Sequence, residues 1–501
     1  MRKQVHTEYR GFREAGIRMM EPLAPSLESH KSEPLRPKLY TYHAFDKAHT
    51  VMLTEEGLIP RADGIAILKA LREMEAEGVE DARIKGGGGM HSGEPYLIRK
   101  LTEEVGGRIH LGRSSGDLGE VGKRIFFRDK LLELIGSVTT FRETLIKSAE
   151  ANIDTVMPGY THAQHAQPTT WGHMLLAWVA VLERDTDRLL LNFSHANRSP
   201  AGAAILTGSD FALNRHRVAD LLGFHAVEKN TFDAILSHDN LFEMLSALSI
   251  LHMNLARWCD DLMLFNTSEF GMVEFPDRFC GTSSIMMQKK NAYAPQNIKG
   301  AAARTVGGLM TSFIVEKNPT SVPILDRVVT DQAIVDSFTA LERDIGWMNE
   351  FMPVLQLKKD HMRERAGAFW CQATEVAGAL VRDTGMNWRS AHQVVGILVR
   401  FAEERGIRPL DVTTTLLDEA AVEYMGEPAG LGAAALKTAL DPVAAVHRRT
   451  LYGGPAPAEV KQRLSEYKLA LANDQEKLHR ASEQVKAGLM RLEEAIDALV
   501  K

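Results

Sequence analysis

Three short stretches of this chain carry side chains able to do chemistry on a small polar molecule. The first is Gly281-Thr282-Ser283-Ser284-Ile285-Met286-Met287-Gln288-Lys289-Lys290-Asn291. Its hydroxyls, ammonium and amide are the groups needed to grip a carboxylate and take up a proton. Gly and Ser permit backbone geometries closed to bulky residues, so the stretch suits a mobile flap over a cleft; the plainer alternative is a loop capped by Ser284 before a helix. The second stretch is Tyr160-Thr161-His162-Ala163-Gln164-His165-Ala166-Gln167-Pro168, after a break at Pro158-Gly159. A histidine beside a small hydroxyl, in a loop entering a buried helix, fits acid–base work, with a packed histidine as the alternative. His162, His165 and His173 are not read as a metal site, because no carboxylate accompanies them at ligand spacing and Pro168 breaks the helix. The third is Gly112-Arg113-Ser114-Ser115-Gly116-Asp117. It precedes a long helical pattern, so Arg113 and Ser114 stand at a helix N-terminus suited to an anion; helix capping is a compatible role.

The elements that must position these residues read as helices. Val121, Ile125, Leu131, Leu132, Ile135, Val138, Phe141 and Leu145 recur at helical spacing. Leu175 to Leu190, Leu241 to Leu264 and Ala301 to Val315 also read as long helices, and almost nothing between 115 and 365 alternates with period two. Shorter helices are expected at Ala373 to Val381, Trp388 to Ala402 and Val412 to Leu417, and a charged amphipathic one from Val460 to Lys501. Residues 1–38 are polar and proline-dotted, an irregular arm. Lys85 and the run Gly86 to Gly89 read as a flexible connection, since no strand precedes and no Gly-Lys-Ser/Thr follows. The fold class is all-α, divided as an N-terminal helical unit (1–114), a central long-helix bundle bearing the flap 281–291 (115–365) and a small C-terminal helical unit (366–501).

With 501 residues the chain exceeds one ordinary hydrophobic core. A net charge of −6 argues against nucleic acid or an anionic membrane as partner. Three cysteines without a close pair fit a reducing compartment and no zinc framework. The run Met174 to Leu182 is too short to span a bilayer, and the N-terminus has no apolar core of a signal peptide. A cytoplasmic location is expected.

Together these segments resemble the aspartase/fumarase superfamily, most closely its argininosuccinate lyase branch. The family's loop G-S-S-x-M-P-x-K-x-N-P is met by Ser283-Ser284-Ile285-Met286 with Lys289 and Asn291 at the family's spacing. Met157 to His162 with Ala166-Gln167-Pro168 matches its second segment, and His110 to Ser114 its first. Outside the site, Ser268 to Gly271, Ala373 to Ala377 and Arg449 to Gly454 with Ala456-Pro457 also match. The resemblance implies a three-domain helical protomer, a homotetramer with a central helix bundle and active sites shared between subunits. It further implies a small dicarboxylate substrate, elimination to fumarate, and neither metal nor organic cofactor. Carried over by position, Ser283 is the base and His162 the group that meets the departing nitrogen. Arg113, Ser114, Thr161, Lys289 and Asn291 bind substrate.

The departures from the family lie in the site. Gly116 stands where the branch has an Asn that contacts a substrate carboxylate, and Gln296 where it has a Glu thought to raise the basicity of the histidine. Thr282, Met287 and Ala292 alter the flap, and Leu236-Ser237-His238-Asp239 replaces Ser-Asp-Arg-Asp. Pro323, Val328 and Asp331 replace the Tyr, Gln and Lys that hold the arginine-bearing half, a change expected to reverse charge and favour an amine. The expected activity is therefore carbon–nitrogen elimination from an N-substituted aspartate other than, or besides, argininosuccinate. Branch relatives acting on diaminoalkane succinates set a precedent. Argininosuccinate cleavage itself and a catalytically silent structural paralogue remain the alternatives.

Overall fold

The computed structural model describes residues 7–9, 24–25, 36–317, 319 and 327–501. Five helices come first: α1 (Leu39–Glu55), α2 (Arg61–Glu77), α3 (Val79–Lys85), α4 (Gly93–Lys100) and α5 (Glu103–Gly106). The next, α6 (Ser115–Glu150), runs 36 residues. Its start is written in the sequence. Ser114 is extended and accepts from the Gly116 N–H, while the Asp117 carboxylate accepts from the Ser114 N–H, a reciprocal capping box. At 1.5 Å per residue α6 is ~54 Å long.

A hairpin of β1 (Val156–Thr161) and β2 (Gln164–Thr170) follows, then α7 (Trp171–Ala196), capped by the Thr170 hydroxyl. A short parallel pair, β3 (Arg198–Ser199) with β4 (Ala226–Val227), encloses α8 (Arg215–Leu221). After α9 (Thr231–Leu236) and α10 (Asp239–Phe265) come β5 (Val273–Glu274), β6 (Cys280–Thr282) and β7 (Lys290–Ala292). Then follow α11 (Tyr293–Glu316), α12 (Val328–Phe351), β8 (Gln356–Leu357) and α13 (Lys359–Ala366). β5 pairs with β8 and β6 with β7, both antiparallel. The chain ends in α14 (Ala373–Thr384), α15 (Trp388–Glu404), α16 (Thr414–Met425), α17 (Ala433–Leu440), α18 (Pro442–Arg448) and α19 (Pro457–Val500).

Helices α6, α7, α10, α11 and α12 form a bundle around one apolar core. Leu131, Val138 and Phe141 of α6 meet Leu175 and Val179 of α7, Leu248 and Leu255 of α10, Ile298 of α11, and Ile334 and Leu341 of α12. One polar knot is buried there. His252 of α10 bonds Thr305 of α11 at 2.9 Å and Asp344 of α12 at 2.8 Å, so the knot satisfies itself while tying three helices. A second core joins Phe45, Val51 and Leu68 to Leu118 and Val121 of α6. A third, from Val376 to Leu440, belongs to the helices α14 to α17.

Two expectations change. The middle of the chain holds antiparallel hairpins as well as helices, because β1–β2 and β6–β7 pair without alternating sequence. And α19 does not share the core of α14 to α17: Val460, Leu464 and Leu471 enter the bundle core, and Leu492, Ile496 and Leu499 the second core. Among the described residues no helix is long and apolar enough to cross a membrane.

Candidate active site

The β1–β2 hairpin turns through His162 and Ala163, at φ 52° and 58°, between the paired residues Thr161 and Gln164. Two consecutive residues in the left-handed region make the primed turn that suits a two-residue hairpin, usually built from Asn and Gly. Here a histidine and an alanine adopt it at a cost of about 1–3 kcal/mol each, held by their surroundings. Thr161 and His162 are exposed at the tip. Behind them the Tyr160 hydroxyl lies 3.3 Å from His165 Nε2, and His165 Nδ1 lies 3.2 Å from Cys371 Sγ. The Tyr160 ring packs on Phe265 and Phe270. Burial raises the Tyr160 phenol to about 12 and the Cys371 thiol to about 11, so both stay protonated as scaffold. Two of the matching segments outside the site converge on this hairpin. Arg449 donates to the Pro168 carbonyl at 2.8 Å and pairs with Glu375 at 2.8 Å.

The flap is a hairpin too, with Gly281 opposite Asn291 and Thr282 opposite Lys290. Gly281 lies against the Tyr293 ring at its root, where a Cβ would come within 2.3 Å and push that exposed ring aside. At the tip, Ser283 Oγ accepts from the amides of Met286 at 2.9 Å and Ile285 at 3.3 Å. Lys290 is engaged by Glu274 at 3.0 Å and Asp277 at 2.6 Å. Lys289 is exposed, and among the described residues no ion pair holds its ammonium. Asn291 is half-buried in β7. Ile285 and Met287 are 81% and 87% exposed, apolar side chains with nothing of their own chain to cover.

The third segment departs from expectation. Arg113 is buried, its guanidinium donating to Asp46 at 2.7 Å beneath the Phe45 ring, and Asp46 also pairs with Arg83. The two cations hold the Asp46 carboxyl below its ordinary range against its burial. The guanidinium is thus committed inside the fold, and what the segment presents is Ser114, the exposed Ser115 and the amides opening α6. Asp46 was not foreseen as its partner: it lies 67 residues earlier on α1, and no local pattern marks so distant a pair.

The altered positions find physical reasons. A Cβ on Gly116 would lie 2.7 Å from the Ala204 carbonyl and 3.1 Å from Ile205, so the 204–205 loop occupies the space an amide side chain needs. Ala204 itself has φ 53°, and its N–H donates to Asp117 at 3.0 Å. The expected charge reversal at Asp331 does not stand as an unbalanced anion, because Lys123 lies 3.4 Å and Lys38 3.6 Å away. Val328 is exposed, Gln296 is exposed on the first turn of α11, and Pro323 falls outside the described residues.

The three segments do not meet within one chain. The helix α6 separates Arg113–Ser115 from the β1–β2 hairpin by its ~54 Å length. The flap and hairpin share an end of the bundle, where Phe279 packs on Phe351 and the Thr144 hydroxyl meets Asn349 at 2.5 Å. Among the described residues no hydrogen bond, ion pair or ring contact joins flap, hairpin and the α6 N-terminus.

A family model described as Lyase matches residues 42–307, and one described as Argininosuccinate lyase C-terminal matches 370–447. An argininosuccinate lyase of Methanocaldococcus jannaschii is 34% identical over 457 residues, 91% of this chain and 92% of that protein. One from Methanosarcina mazei is 37% identical over 429 residues, 85% and 86% of the two chains. A crystal structure of EDDS lyase in complex with formate superposes with a TM-score of 0.84 at 29% identity, covering 94% of each chain. The chain belongs to the argininosuccinate lyase branch of the aspartase/fumarase superfamily and is a carbon–nitrogen lyase.

Proposed function

We propose that this protein eliminates an amine from an N-substituted aspartate, releasing fumarate, at sites shared between the subunits of a homotetramer. The observation that carries the reading is the setting of Ser283 Oγ. Two backbone N–H groups point at it, and hydrogen bonds to a charged oxygen are worth about 1.5–3 kcal/mol each. They favour the alkoxide that a serine base requires, most strongly once the apolar flap residues exclude water. Ser283 removes the proton beside the substrate carboxylate, whose charge spreads into an aci-form held by Lys289 and Asn291. The carbon–nitrogen bond then breaks, and the nitrogen leaves with a proton from His162, steadied by Thr161. The remaining carboxylate lies at the N-terminus of α6, against Ser114, Ser115 and the helix amides.

Sharing between subunits rests on the length of α6 and on the apolar residues the bundle exposes, among them Met253 on α10 and Met310 and Ile314 on α11. The amine is one other than arginine: the space beside Gly116, where the branch has an amide side chain, is filled by the 204–205 loop. Argininosuccinate is the second reading, favoured by the relatives that bear that enzyme's name. Reverse addition decides between them. The protein is incubated with fumarate and a panel of amines that includes arginine and diamines, and loss of fumarate absorbance is followed. Fastest consumption with a non-arginine amine supports the proposal, arginine alone supports the second reading, and no consumption with any amine refutes both.

A further inference from the structure

The glycine-rich connection before α4 leads into a side-chain cluster that the elimination does not use. His91, Glu94 and His110 each offer one donor atom, and these atoms lie within 4.8 Å of one another. His91 and Glu94 are three residues apart where the connection enters α4, and His110 closes the group from the turn before Arg113. We propose that His91, Glu94 and His110 form a binding site for a divalent transition-metal ion such as zinc or cobalt, beside the N-terminus of α6.

The donor set is two imidazoles and one carboxylate, with the fourth position open, a composition zinc and its neighbours accept. The distances suit it. Tetrahedral ligands on bonds of about 2.1 Å sit roughly 3.4 Å apart, and His110 Nδ1 lies 3.5 Å from a Glu94 oxygen. The imidazoles already stack at 5.3 Å between centroids. His91 Nε2 is 2.8 Å from the Ser115 hydroxyl, an outer contact that fixes ring orientation as the partners of metal-bound histidines do. Glu94 is buried and supplies the negative charge, and the nearby Arg113 is balanced by Asp46. Linear spacing hides this site, because His110 reaches it only through the fold.

The test titrates chelator-treated, dialysed protein with Co²⁺, following the visible absorption of the bound ion and its displacement by Zn²⁺. One equivalent per chain is expected, with a melting temperature that rises with Co²⁺ concentration. Glu94→Gln, which keeps volume, and the double variant His91→Ala/His110→Ala should each weaken binding by at least about tenfold. Their melting temperatures in chelator should stay near that of the parent. Overturning results are a parent that binds no more Co²⁺ than the double variant, or a cobalt spectrum and affinity that Glu94→Gln leaves unchanged. Either would assign the bound cobalt to surface histidines.

Discussion

A site assembled from both ends of a ~54 Å helix cannot lie in one chain, and this predicts that two inactive variants restore each other. The first, Ser115→Glu, puts a carboxylate where the substrate's should rest. Two like charges about 4 Å apart near a protein surface repel by about 4 kcal/mol, roughly a thousandfold in substrate affinity. The helix should tolerate the change, since an acidic residue in the first turn is favoured by the dipole by about 0.3–1 kcal/mol. The second, His162→Asn, removes the group that meets the leaving nitrogen. Asn accepts the left-handed conformation that His162 adopts, so the hairpin should survive. Each variant alone should lose about 10²–10⁴ of its rate. Under the shared-site proposal, each site of an oligomer co-assembled from equal amounts draws its α6 N-terminus from one chain and its hairpin from another. Half of each are intact, so roughly a quarter of the sites are whole. Fumarate formation by the co-expressed mixture should therefore reach about a quarter of the parent rate, far above either variant. A mixture no more active than the sum of its parts, with hybrid oligomers verified by mass, would refute the shared-site reasoning.

Three further outcomes are expected. Ser283→Ala should lower kcat by about 10²–10⁴ at unchanged melting temperature, whereas Ser284→Ala should fall by less than tenfold; equal losses would detach the two amide contacts from catalysis. Gly116→Asn should lower stability by about 1–3 kcal/mol in urea unfolding, since its Cβ meets the Ala204 carbonyl, and should not improve turnover of argininosuccinate; an unchanged midpoint would mean the 204–205 loop yields freely. His49, bonded to the Leu111 carbonyl, is pushed down to about 3 by burial and then by Arg113. Its unfolded form takes a proton below about 6.5 and the folded form does not, so its contribution is complete above pH ~6.5 and is lost as pH falls toward 3. His49→Gln, whose amide can still donate to that carbonyl, should flatten the stability decline between pH 7 and 4. A slope identical to the parent's would contradict it.

What the sequence made legible was whatever is local. The apolar positions from Val121 to Leu145 repeat along one helix and are buried, apart from the partly buried Leu132, and Ser114 starts that helix where an N-cap belongs. Helix boundaries shifted by a few residues where caps went unread, as at Thr170, which starts α7 before Leu175. The β1–β2 hairpin was illegible for a physical reason. Its strands contain Pro158, Gly159 and Pro168, and its turn uses His162 and Ala163 where turn chemistry favours Asn and Gly, because neighbouring packing outweighs local preference. Charges were the least legible. Arg113 points to Asp46, and Asp331 to Lys38 and Lys123, across sequence gaps that carry no period. Residue types named the chemistry, but only three-dimensional partners decide which charges face a substrate.

The packing of α19 has a consequence for how the fold closes. Leu492, Ile496 and Leu499 complete the core that Phe45 and Val51 begin, so α1 takes part of its packing from a helix far along the chain. Contacts of such long sequence separation form slowly and leave apolar surface uncovered meanwhile. The α1 side of that core therefore stays partly uncovered until α19 docks. Truncation after Met490 would remove Leu492, Ile496 and Leu499 and leave the α6 N-terminus, whose Leu118 and Val121 join the same core, without that support.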